Sequence, residues 1–118
     1  MKVEFRPASI ADVMSYAGRL PHTQCRVWAG LVDGKVVALG GYTYLPSGVV
    51  VAFLDADEIV RQKCKLSLLK AAKTVLRDAK SRGLSVIHAE AGSGIEAAVP
   101  FLKHLGFTET GGVYIHGN

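Results

Sequence analysis

The chain has 118 residues, 49% of them hydrophobic and 20% charged. That is enough for one domain with a real core, and too apolar for a disordered segment. Two cysteines cannot build a disulfide framework, and no apolar run reaches the roughly 18 residues of a membrane-spanning helix. The net charge is +4, and eight of the fourteen Lys and Arg fall between Arg61 and Arg82, where Asp78 is the only acid. This segment is expected to present a cationic face, suited to an anionic ligand or polymer.

The opening KVEFRP alternates Val3 and Phe5 with charged neighbours, the period of a half-buried strand that Pro7 ends. Ser9 then reads as a helix N-cap with Asp12 three residues on, followed by Ile10, Val13, Met14 and Ala17 on one face. RVWAGLVDGKVVALGGYTYL reads as two strands joined at Asp33-Gly34, because both turn residues tolerate positive φ. Pro46-Ser47-Gly48 is a second turn, leading into VVVAFLD. That run is apolar at nearly every position and is expected to be a central strand covered on both faces.

Asp57 is placed to cap the next helix, with Glu58 favourable at its positive end. Val60, Cys64, Leu68, Leu69, Ala72, Val75, Leu76 and Ala79 repeat at helical spacing, so one long helix is expected through about Lys80, with Gly83 as its C-cap. LSVIHAE reads as a strand and AGSG as a loop. IEAAVPFLKHL is a shorter helix that Pro100 kinks or starts and Gly106 stops, and VYIH is a last strand. The order is β-α-β-β-β-α-β-α-β in a single α/β domain over residues 1–118: a mixed, mostly antiparallel sheet with helices on both faces. An apolar edge strand such as VYIH offers a place for a second copy to pair. With no signal-peptide hydrophobic region at MKVEFRPAS, the expected location is the cytoplasm.

Several landmarks in this order resemble the GNAT superfamily of acyl-coenzyme A-dependent N-acetyltransferases. FRPASIADV is similar to the family's opening strand and helix, WAGLVDGKVVALGGYTY to its second and third strands with their D-G turn, and FLKHLGF to the Y-x-x-L-G-F motif closing its fourth helix. Together these cover nearly the whole chain. More narrowly, FRPA…DV, the W-x-x-L-V-D-G-x-x-V-A-L hairpin and a long helix without the usual glycine loop resemble small acetyltransferase-like proteins of tailed bacteriophages, which would place the protein in the host cytoplasm.

The resemblance implies that acetyl-coenzyme A lies where VVVAFLD and LSVIHAE splay apart. Backbone groups near Phe53 and Leu54 would hold the pantetheine arm and polarise the thioester. The pyrophosphate would rest on the following helix start, over Arg61, Gln62, Lys63, Cys64, Lys65, Leu66 and Ser67. The family cradle reads Q/R-x-x-G-x-G/A; here Arg61 fits the first position, while Cys64 and Leu66 replace the small residues. Arg61, Lys63 and Lys65 add charge suited to a diphosphate. Many relatives carry a Tyr general acid where this chain has Leu102, leaving Tyr114 and His116 on the last strand as groups able to approach the cleft. Glu90 is the favoured general base for the attacking amine, then Asp55.

The plainer readings are surface carboxylates for Asp55 and Glu90, surface positions for His22, His104 and His116, and a packed, unreactive Cys64. Scattered histidines argue against a metal site. The expected function is therefore transfer of acetyl to an unidentified amine by direct attack. The alternative is a catalytically weak GNAT-like phage accessory or virion-associated protein acting through protein binding. A nucleic-acid binder using the basic helix is weaker, because no aromatic residues interleave with the cations.

Overall fold

The computed structural model describes residues 2–20, 24–84, 86–89, 102–110 and 113–117, with 109, 110, 113, 114 and 117 described by their backbone alone. In chain order the elements are β1 (Glu4–Pro7), α1 (Ile10–Ala17), β2 (Cys25–Val32), β3 (Lys35–Tyr44), β4 (Val50–Ala56), α2 (Glu58–Lys63), α3 (Lys65–Ser81), β5 (Val86–Ala89), β6 (Thr108–Thr110) and β7 (Val113–Gly117). Seven strands form one sheet in the order β1-β2-β3-β4-β5-β7-β6. Among the described pairings only β4 with β5 is parallel.

Local chemistry accounts for most of the boundaries. Ser9 and Asp12 form a reciprocal capping box, the Ser9 hydroxyl accepting from the Asp12 N–H and the Asp12 carboxylate from the Ser9 N–H. Arg6 then forks onto the two oxygens of Asp12 and ties α1 to β1. This pairing, followed by hydrogen bonding to Ser9, holds the Asp12 carboxyl at about 2. The β2–β3 hairpin turns at Asp33 and Gly34, with φ of 49° and 80°. Helix α3 ends in a Schellman motif, the Leu84 N–H donating to Ala79 and the Gly83 N–H to Lys80. The same pattern stops the 102–104 helix, where the Phe107 N–H donates to Leu102.

The sheet separates two apolar layers. On one side α1 contributes Val13 to a cluster with Ala29, Val36 and Leu39. On the other, α2 and α3 cover Val37, Ala38 and Ala56 with Val60, Cys64 and Leu68, and farther along cover Tyr42 and Val50 with Val75, Leu76 and Ala79. Helix α3 therefore runs antiparallel to β4, its start over Ala56 and its end over Val50. Within this layer the Asp78 carboxylate Oδ2 accepts from the Tyr42 hydroxyl at 2.6 Å, from Arg26 Nε at 3.0 Å and from Arg82 Nε at 3.2 Å. Burial works against ionisation of Asp78, but the Tyr42 hydrogen bond and the two guanidinium charges outweigh it and hold the carboxyl below its usual range.

Four expectations need correction. The long helix is two helices: the chain breaks at Cys64, whose φ of −122° and ψ of 36° leave helical geometry. Asp57 makes no side-chain cap to α2. VYIH is not an edge strand, because β6, a short polar strand that the sequence pattern does not announce, pairs along its outer side. Strand β4 is central, but Leu54 and Asp55 in its second half are exposed. The expected AGSG loop and the first part of the last helix lie outside the described residues.

Candidate active site

Strands β4 and β5 share two register pairs, Val51 with His88 and Ala52 with Ala89. Beyond them β4 runs on through Phe53, Leu54, Asp55 and Ala56, paired along its other edge with Gly41, Gly40, Leu39 and Ala38 of β3. The residues that follow Ala89 lie outside the described ones, and with them the expected divergence of the two central strands.

A cavity of about 860 Å³ opens beside this strand pair, between β4 and α3 and reaching the 102–104 helix. Five of the residues expected to hold a coenzyme line it: Phe53, Leu54, Arg61, Lys65 and Leu66. The other four do not. Gln62 is exposed and donates from Nε2 to Glu58 Oε1 at 3.3 Å. Lys63 is exposed at the end of α2, Ser67 is half-buried in the first turn of α3, and Cys64 is buried against Val37, Val60 and Leu68.

The break at Cys64 gives α3 an N-terminus of its own. Its first-turn N–H groups, at Lys65, Leu66 and Ser67, lie where a helix lacks intrahelical acceptors, and no side chain caps them. The positive end of the helix dipole therefore adds to the Arg61 and Lys65 charges at one end of the cavity. The interior is apolar, with Leu69, Ala72 and Leu76 from α3 facing Leu102, Leu105 and Phe107. Leu102, which the resemblance sets at the family's Tyr position, is part of this wall. His104, read from sequence as a surface residue, also borders the cavity while remaining exposed.

The candidate acid–base groups distribute differently. Asp55 alternates with Leu54 along β4 and lies on the α1 side, with Phe53. There it shares its surroundings with Tyr16 of α1, a residue the sequence did not single out because it is remote in the chain. Burial first, then the charges of Asp55 and Asp57 and hydrogen bonding to Asp57, push the Tyr16 hydroxyl up to about 12, with Arg61 acting in the opposite direction. So weak an acid keeps its proton through neutral pH, and suits Tyr16 to donating a hydrogen bond rather than a proton. His88 is half-buried opposite Val51, while Ile87 and Ala89 on the other face join the core. Tyr114 pairs with Ala89 through the β5–β7 ladder. Glu90 lies outside the described residues. Among the described residues no group of three or more His, Cys, Asp or Glu is arranged to hold a metal ion, and no helix is long and apolar enough to cross a membrane.

A parallel central strand pair, an uncapped helix start beside it and a covering layer on each face can be compared with known structures. The GNAT domain of S. lividans PAT superposes with a TM-score of 0.77 over 98% of this chain and 90% of that one, at 13% identity. The fold is that of the GNAT acetyltransferases. An N-acetyltransferase from Staphylococcus aureus Mu50 superposes with a TM-score of 0.76 over 99% of both chains, again at 13% identity. The aminoglycoside acetyltransferase AAC(6')-Ib, in complex with coenzyme A, gives 0.69 over 99% of this chain and 95% of that one at 10% identity. No protein-family model matches the sequence, and no curated protein does. The architecture is thus shared with these structures at 10–13% identity.

Proposed function

We infer that the protein is an acetyl-coenzyme A-dependent N-acetyltransferase that acts on an amine acceptor. The observation carrying this reading is the cavity beside the β4–β5 pair, with Arg61 and Lys65 near the uncapped start of α3 at one end. Those charges and the first-turn N–H groups suit a diphosphate. The bulk of Cys64, which sequence comparison set against a tight phosphate turn, packs into the core. Leu66 is 74% exposed and leaves the helix start accessible.

Acetyl-coenzyme A, when bound, supplies an acyl group already activated as a thioester. The chain's own part is to hold and to orient. Arg61 and Lys65 neutralise the phosphates, and the β5-facing backbone of Phe53 and Leu54 positions the carbonyl and donates to its oxygen. Asp55 accepts the proton that the acceptor amine loses at nitrogen, directly or through water. Tyr16 lies within reach of that carboxylate's charge and hydrogen-bonds the neighbouring Asp57. The apolar wall keeps bulk water from the thioester. The C–S bond breaks as the amide forms, and the coenzyme leaves as its thiolate, which Tyr114 as the candidate acid would protonate; Glu90 is the alternative base.

Calorimetric titration with acetyl-coenzyme A tests this. Micromolar binding that weakens about tenfold in Arg61→Ala is the expected result, since a charge-assisted contact contributes about 1.5–3 kcal/mol. Asp55→Asn should lower turnover with little change in coenzyme affinity. No binding at millimolar acetyl-coenzyme A refutes the assignment.

Leu102 favours a second reading. With an aliphatic side chain at the family's acid position, a GNAT-like accessory protein of a tailed phage could bind the coenzyme, or a protein partner, without efficient transfer. Tight coenzyme binding with no acetylation across a panel of amines and peptides would select it.

A further inference from the structure

The cavity is deeper and more apolar than an acetyl group requires. Its volume, about 860 Å³, lies toward the upper end of the roughly 300–1,000 Å³ of typical small-molecule sites. Among the described residues its basic lining is confined to Arg61, Lys65 and His104. The inner end, past Phe53 toward the start of β4, is walled by Trp28, Ala52, Ala72, Val75, Leu76 and Phe107. The Trp28 indole N–H is the single polar side-chain group among these six. The Tyr42 hydroxyl, on the same face of the sheet, is already engaged by Asp78.

Protein interiors are packed densely enough that large voids are exceptional. An apolar void does not hold ordered water, which needs two to four polar partners. Polar pantetheine amides placed at the inner end would lose their hydrogen bonds without replacement. Hydrocarbon is the chemistry that fits.

We propose that the inner end is an acyl-chain site, and that the preferred donor is an acyl-coenzyme A with a medium-length chain, about eight carbons, rather than acetyl-coenzyme A. This rests on the coenzyme reading above and fixes its donor class. The order along the cavity supports it. The cations lie at the start of α3, over Ala56 at the end of β4, while Val75 and Leu76 lie over the beginning of the strand. A thioester with its phosphates at Arg61 and Lys65 and its carbonyl at Phe53–Leu54 therefore directs its chain inward, between Ala52 and Leu76. Gly40 lies between Trp28 and Leu54 across three strands and leaves the floor open; a Cβ there would come within 3.1 Å of Leu54 Cδ1.

The test compares coenzyme A, acetyl-coenzyme A and octanoyl-coenzyme A by calorimetry and by fluorescence of Trp28, the chain's single tryptophan. Full burial of a methylene tightens binding about fourfold. Allowing for partial burial of six added methylenes, octanoyl-coenzyme A should bind on the order of 100-fold tighter than acetyl-coenzyme A. It alone should shift Trp28 emission. Ala72→Phe, whose ring would occupy the inner end, should bring the octanoyl-to-acetyl affinity ratio near one, with an unaltered circular dichroism spectrum confirming the fold. Equal binding of the two thioesters with no change at Trp28 overturns the acyl-chain site and leaves the coenzyme reading intact. Failure of all three ligands to bind overturns both.

Discussion

The Tyr42 hydroxyl donates to Asp78 across 2.6 Å, joining the middle of β3 to the last turns of α3. The sole acid among eight cations is thereby drawn inward, where it is shared with Arg26 and Arg82. Among the described residues Lys70, Lys73, Arg77 and Lys80 have no ion-pair partner, which explains why the outer face of α3 is so strongly cationic.

Removing that hydroxyl should be costly because Tyr42 is fully buried. Tyr42→Phe is expected to lower unfolding free energy by about 1.5–3 kcal/mol, the range for a hydrogen bond to a charged group. Asp78→Ala should cost more, since it leaves the phenol without an acceptor. Urea denaturation of both variants checks the ranking. A Phe substitution within experimental error of the parent would show that this bond adds nothing net.

Acid sensitivity follows from the Arg6–Asp12 fork. The Asp12 carboxyl titrates at about 2 in the folded chain against 3.8 in its ordinary state. The pair therefore stabilises the fold at every pH above 3.8, and its contribution disappears as pH falls from 3.8 toward 2. Melting temperature should drop across that window. In Asp12→Asn the drop should be shallower, though Asp78 keeps a dependence of the same sign. Parallel profiles for parent and variant would contradict the assignment.

At Gly41 a Cβ would stand 1.9 Å from the Arg26 carbonyl oxygen, a backbone atom that cannot swing aside. Gly41→Ala should cost at least the 1–3 kcal/mol of ordinary overpacking, and soluble yield should fall with it. Gly48→Ala, in an exposed turn with φ of 88° and nothing within 4 Å of the added Cβ, makes the comparison. It carries only the conformational strain, about 1 kcal/mol.

The thiols should separate kinetically. Cys25 is half-buried, and burial pushes its thiol up, while Cys64 is buried in the α2–α3 core. Iodoacetamide on the native protein should label Cys25 slowly, faster as pH rises, and Cys64 only after urea. Mass spectrometry of peptides from a labelling time course distinguishes the two, and early modification of Cys64 would mean that the α2–α3 junction opens readily.

Most of the architecture was legible because short-range chemistry wrote it. The Asp33-Gly34 turn, the Ser9–Asp12 box and the unbroken apolar run of β4 each specify their element locally. The junction at Cys64 was hidden because Val60, Cys64 and Leu68 keep helical spacing straight across it, and all three remain in one cluster. Strand β6 escaped because three polar residues carry no period. At the site, Arg61 and Lys65 were found from their position after the central strand. Tyr16 and Trp28 were not, since only the folded sheet brings Tyr16 beside Asp55 on its α1 side and Trp28 to the cavity on its α3 side.

The parallel seam between β4 and β5 has a consequence for how the chain is made. Strands β2 to β4 meet their neighbours through short connections and can zip together as they leave the ribosome. The two pairs at Val51–His88 and Ala52–Ala89 must wait until all of α2 and α3 has emerged, and such long-range closure is slow. The nascent meander therefore spends that interval with the outer edge of β4 uncovered, the edge a neighbouring chain on the same message would find first. Pulse-labelled hydrogen exchange should show the amides of β2 and β3 protected before those of β5. The two strands that border the cavity are joined only after the whole helical crossover between them has been made.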